Sequence, residues 1–65
     1  MSTVTITKTY DSDEALKNVK DDLIGTGFEA EHIFLDHDKK QVKVIAAKSA
    51  EPEVLEILAR HDPID

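Results

Sequence analysis

The sequence predicts an α+β fold, a two-layer sandwich in which two helices cover one face of a small sheet. Three observations predict it. The stretch from Glu31 to Lys48 holds two apolar runs, 32–35 and 42–47, around the polar segment Asp36-His37-Asp38-Lys39-Lys40-Gln41. Apolar runs rich in β-formers on both sides of a turn-rich segment read as a β-hairpin. Thr3, Thr5, Thr7 and Thr9 alternate with Val4, Ile6, Lys8 and Tyr10, the period-two pattern of a strand with one wet face. Apolar residues at helical spacing then follow both the first strand and the hairpin.

In order, the first strand covers Ser2 to Tyr10 and turns Val4 and Ile6 toward the core. Asp11 and Glu14 have the spacing of a capping box, and the acids there suit the positive end of a helix dipole. Ala15, Leu16, Val19, Leu23 and Ile24 form the apolar stripe of the helix they open. Gly25 and Gly27 stop it, and Phe28 folds back onto its last turn. In the hairpin, a turn centred on Asp38 and Lys39 sets Leu35 opposite Val42 and Ile33 opposite Val44 on one face. Phe34 then opposes Lys43, and His32 opposes Ile45, on the other. A slip of one residue would mix the two sets. Ser49 is expected to cap the second helix, with Pro52 in its first turn. Its inner face is read as Val54, Leu55, Ile57, Leu58 and His61, and Pro63 ends it.

The order β-α-β-β-α is half of a split β-α-β arrangement, which predicts a ferredoxin-like sandwich. A right-handed crossover places strand 1 beside strand 3, with strand 2 outside. The fourth strand of that fold is expected to be vestigial or absent, because only Pro63-Ile64-Asp65 follows the second helix. The free edge of strand 1 is then bare, covered by those three residues, or paired with another chain. Leu16, Val19, Leu23, Leu55 and Leu58 are expected to fill the space between the layers.

Sixty-five residues allow a single domain, 1–65, near the lower limit for an autonomous core. Such a core supplies about 3–5 kcal/mol. The chain has no cysteine, so neither disulfides nor thiolate metal sites reinforce it. Threonines interrupt any apolar run near the N-terminus, and no stretch approaches the roughly 20 apolar residues of a membrane span. A cytoplasmic location without membrane contact is expected. The net charge of −6 argues against nucleic acid as a partner, since phosphates require a basic face.

Three segments resemble the small domain of the general stress protein family of bacteria and archaea. Tyr10-Asp11-Ser12-Asp13-Glu14 is similar to that family's aromatic-Asp-Ser/Thr-x-Glu lead into its first helix. Gly27-Phe28 followed by His32-Ile33 is similar to its Gly-Phe turn before strand 2. Ile57-Leu58-Ala59-Arg60-His61 is similar to the end of its second helix. The chain departs from the family in having no glycine within strand 1 and no complete fourth strand. The resemblance implies a ferredoxin-like fold and no catalytic residue.

The topology gathers Asp11, Asp13, Asp36, His37, Asp38, His61 and Asp62 at one end of the sheet. His37, His61, Asp38 and Asp62 are the candidate ligands for a divalent ion there. Their spacing argues against a shared ion, since His37 and Asp38 are neighbours in a turn. As turn residues the aspartates are ordinary, and His61 suits a helix C-terminus. Catalysis has no candidate residue. No serine or threonine has an evident His–acid partner, and Gly25-Thr26-Gly27 is too short to cradle a pyrophosphate. Binding of RNA on the open sheet face would need stacked aromatics, and only Phe34 is placed there.

Phe34 and Ile45 fall on the sheet face that no helix covers, beside Thr3, Thr5 and Thr7. These five residues are the candidate interaction surface. The expected function is a non-enzymatic interaction module that self-associates through this face or through the edge of strand 1. Its partner is another protein or a second copy in a weak homodimer, with no cofactor. A stress-related role is what the resemblance suggests. The alternative is a ligand- or metal-sensing domain using the acidic, histidine-bearing end.

Overall fold

The computed structural model describes residues 2–64. The chain runs through β1 (Thr3–Thr9), α1 (Asp13–Thr26), β2 (Ile33–Asp36), β3 (Gln41–Ala47) and α2 (Glu51–Ala59), with short 3-10 turns at Ala30–His32 and Lys48–Ala50. The sheet order is β1-β3-β2, and both outer strands run antiparallel to β3. β1 and β2 are therefore parallel with β3 between them, and α1 is the crossover that joins them. This is an α+β arrangement of a three-stranded antiparallel sheet and two helices.

The hairpin has the register its side chains require. Leu35 pairs with Val42, Ile33 with Val44 and Phe34 with Lys43. Asp36 Oδ1 accepts the Lys39 N–H at 3.1 Å, and Lys40 closes the loop at φ 54, a left-handed conformation that a lysine adopts only at some cost. His32 does not extend the ladder opposite Ile45 as expected. Its N–H donates to the Glu29 carbonyl at 3.0 Å, so the residue closes a 3-10 turn and β2 starts one position later.

β1 pairs along its whole length with β3, from Thr3 opposite Ala47 to Thr9 opposite Gln41. At either end Lys48 N–H donates to Ser2 (3.1 Å) and Tyr10 N–H to Lys40 (2.8 Å). Antiparallel ladders alternate, so the even-numbered residues of β1 bond to β3. Thr3, Thr5 and Thr7 direct their backbone groups to the opposite side, where the sheet has no further strand among the described residues. The same parity places the Thr9 carbonyl on that side, and it accepts the Ile64 N–H at 2.8 Å. The segment after α2 thus makes the first rung against β1. Asp65, the last residue of the expected stub, lies outside the described residues.

Helix α1 is capped by Ser12, whose hydroxyl accepts the Ala15 N–H at 3.2 Å. The expected box of Asp11 and Glu14 is displaced by one residue. A side chain must sit immediately before the first helical residue to reach the free N–H groups, and Ser12 holds that place. At the other end Gly27 takes φ 122, and Phe28 N–H bonds back to the Leu23 carbonyl at 3.0 Å, which is the Schellman closure that Gly27 suggests. Phe28 packs against the core from there. Helix α2 has no side-chain cap, and Pro52 lies in its first turn. Ser49 is not the cap, because the chain is already wound into the 3-10 turn that contains it.

Between the layers, Ile6, Ile33, Val42 and Val44 of the sheet meet Leu16, Val19 and Leu23 of α1 and Val54, Ile57 and Leu58 of α2. Leu55 does not join them and is 38% exposed. Val54, Ile57 and Leu58 define the buried stripe by their three- and four-residue spacing, and Leu55 falls on the helix flank. Tyr10 is the core's only aromatic among its fully buried members, at 1% exposure. Its hydroxyl donates to the Leu58 carbonyl at 2.7 Å.

Two substitutions test this core. Tyr10→Phe keeps the ring and removes the donor, so it should destabilise by about 1–3 kcal/mol in urea unfolding. Leu23→Ala should cost about 2–5 kcal/mol, a large share of what a domain this small has. A Leu23→Ala protein that unfolds at the parental midpoint would place Leu23 outside the core.

Candidate functional site

The expected polar end of the sheet resolves into two separate ion pairs, each anchored on α1. His37, in the hairpin turn, places Nδ1 3.2 Å from Asp13 Oδ1, and Lys40 Nζ lies 3.7 Å from the same oxygen. Asp13 is in the first turn of α1, where the helix dipole also favours a carboxylate. His61, just beyond α2, places Nε2 3.0 Å from Asp22 Oδ2, and Arg60 reaches that oxygen at 3.8 Å. Asp13 and Asp22 are nine positions apart on one helix, roughly 13 Å along its axis at 1.5 Å per residue. The two imidazoles therefore do not converge.

Asp38 is exposed in the hairpin turn. Asp62 takes φ 56 and donates its N–H to Ala59 at 3.3 Å, closing the chain's exit from α2. Neither meets a histidine. Among the described residues no group of three or more histidines and carboxylates is placed to hold a metal ion, and no pocket opens among them. The partners that the histidines do take are Asp13, which the topology gathers at the same end as His37, and Asp22, which was not among the residues expected there. They lie 24 and 39 positions away, and only the packing of α1 against the hairpin turn and α2 brings them near.

The other candidate surface lies on the outer face of the sheet. Phe34 is 49% and Ile45 37% exposed on the sheet face opposite the helices. Thr5 pairs directly with Ile45, and Thr7 lies across Lys43 from Phe34. Phe34 and Ile45 are diagonal neighbours, close enough for an aromatic side chain to reach across. Thr3, Thr5 and Thr7 are exposed beside them. The result is a continuous strip of apolar and hydroxyl groups with one lysine at its centre.

Comparison with known proteins finds no match, whether to a family model, to a curated protein or to a solved structure. No helix among the described residues is long and apolar enough to cross a membrane.

The Asp13 pair has a titration signature. The hydrogen bond with His37 leads the effects that hold the Asp13 carboxyl below its ordinary value of 3.8, with Lys40 and the His37 charge adding to it and partial desolvation opposing it. A depressed folded-state value stabilises the fold above the unfolded value, and that contribution is lost as pH falls through the folded one. The window thus opens near pH 3.8 and extends below it. Carbon-detected NMR titration should find Asp13 below the ordinary range in the parent and returned toward it in His37→Ala. An unchanged value in that variant would remove His37 as the cause.

Proposed function

We propose that this chain is a non-enzymatic interaction module of ferredoxin-like type that associates through its sheet side, by the open outer face or by the β1 edge. The observation that carries this reading is the exposure of Phe34 and Ile45 on a face that nothing among the described residues covers. An apolar strip on an otherwise charged domain is where a contact is expected. The edge adds a second means of association. Thr3, Thr5 and Thr7 turn their backbone groups to the strandless side, and between Thr3 and Thr7 there is no charge or proline to blunt it.

The strand order 1-3-2 with an α1 crossover supports the ferredoxin-like assignment, as does Ile64 bonding to β1 where a fourth strand would run. The Tyr10-Asp11-Ser12-Asp13-Glu14 and Gly27-Phe28 segments, both folding signals, support kinship with the general stress protein family and through it a stress-related role. A metal-sensing function has no comparable support, since His37 and His61 are committed to different carboxylates.

Association is tested by sedimentation equilibrium from low-micromolar to millimolar chain concentration, at low and high salt. The average mass is expected to rise with concentration in at least one salt condition. A strict monomer throughout, with Phe34→Asp behaving identically, would overturn self-association.

A further inference from the structure

We infer that the outer sheet face, rather than the β1 edge, is the self-association surface, and that its occupant is the same face of a second copy. This rests on the reading of the chain as an interaction module and decides between the two surfaces that reading allows.

Charge distribution carries the inference. The chain has a net charge of −6, but the acids are not spread evenly. Helix α1 carries Asp13, Glu14, Asp21 and Asp22 against Lys17 and Lys20, and α2 carries Glu51, Glu53 and Glu56 with no basic residue. Strands β1 and β3 contain no acidic residue. On the outer face the charged side chains are Lys43 at the centre and Asp36 at the hairpin end, so the face is neutral while the helix side is net acidic. A basic partner finds only Asp36, at the hairpin end of this face, and an acidic partner finds a single lysine. A neutral surface of threonine, isoleucine, alanine and phenylalanine is matched by another of the same kind.

Geometry points the same way. When two sheets pack face to face they lie about 10 Å apart. The acidic helices then sit on the outsides, separated by about three layer spacings, roughly 30 Å. That is well beyond the Debye length of about 8 Å at physiological ionic strength, so the repulsion is screened. Edge pairing has the opposite consequence. It sets the two α2 helices side by side on one face of a continuous sheet, because α2 packs over β1, and it brings their glutamates together. It also has to share the edge with Ile64, which already bonds to Thr9.

Size sets the strength. Three strands at about 4.8 Å spacing and about seven residues at 3.3 Å rise give a face of roughly 15 by 20 Å. Two such faces bury well under the roughly 1,200–2,000 Å² of a stable complex. The dimer is therefore of the transient class, with Phe34 its largest anchor.

The test combines three readouts on the full chain. Sedimentation equilibrium of Phe34→Asp and of Ile45→Thr, the second keeping a β-branched residue, should each show association weakened by about tenfold or more. Both positions are exposed, and circular dichroism is the check that the variants fold. Association of the parent should change little with salt above physiological strength. Amide exchange at Thr3, Thr5 and Thr7 should be equally fast at low and high concentration, because face packing leaves the edge open. Isotope-filtered NMR should show contacts between copies at Phe34, Lys43 and Ile45. If instead both variants associate normally, salt strengthens the dimer, and Thr5 and Thr7 amides become protected with concentration, the edge is the interface. That result overturns this inference and leaves the interaction module standing. A chain that stays monomeric under every condition overturns both.

Discussion

Tyr10 is almost fully buried and donates its hydroxyl to the Leu58 carbonyl at 2.7 Å, while its backbone N–H donates to Lys40 at 2.8 Å. These two bonds join the end of β1, the last turn of α2 and the hairpin turn. Carbonyls in the last turn of a helix lack full partners within it; the Leu58 carbonyl has only a long contact with the His61 N–H at 3.4 Å, and the tyrosine supplies the short bond. A phenol buried without an acceptor is itself unfavourable, so the hydroxyl also fixes where α2 can end. The helix must stop within reach of Tyr10, and the chain then turns through Asp62 at φ 56 to bring Ile64 onto Thr9. This contact ties the end of α2 to β1, on the sheet face that Val54, Ile57 and Leu58 already cover.

The fold was largely legible because its strands obey a strict two-residue period. Val42, Val44 and Ala46 are buried and Lys43, Ile45 and Ala47 exposed, so the alternation in the sequence maps directly onto the two faces. Helix boundaries were less legible. Asp11, Ser12 and Asp13 are all good caps, and residue type alone does not say which one lies just before the first turn. Ser49 illustrates the same limit, since a 3-10 turn ahead of α2 moves the start of winding without any signal in residue type. Leu55 and Ile24 are apolar residues on the flanks of their helices, where a small sheet is too narrow to cover them. A two-helix layer on three strands buries a narrow stripe, and hydrophobicity does not report its width.

The candidate surface and the candidate polar end differ in legibility for a physical reason. Phe34, Ile45 and the threonines are placed by ladder register, which is a local rule. His37 and His61 are placed by the packing of α1 against distant segments, and their carboxylate partners depend on where along α1 each segment crosses. Topology alone brought the histidines to the same end of the sheet, yet helix rise separates Asp13 from Asp22. Each imidazole therefore ties α1 to a different neighbour, the hairpin turn at one point and the end of α2 at the other.

An uncovered sheet face with an unpaired neighbouring edge is an aggregation hazard unless the sequence limits it. Here the limits are on the face itself. β1 supplies threonines rather than larger apolar residues, and Lys43 stands between Phe34 and Thr7 in the ladder. Ile64 occupies one end of the edge at Thr9. The acids on α1 and α2 add repulsion between copies approaching by any side that presents the helices. Together these features leave the neutral outer face as the approach of least repulsion, and they keep its apolar content to two large residues. The same choices that make the face safe to expose make any contact through it weak, reversible and directional.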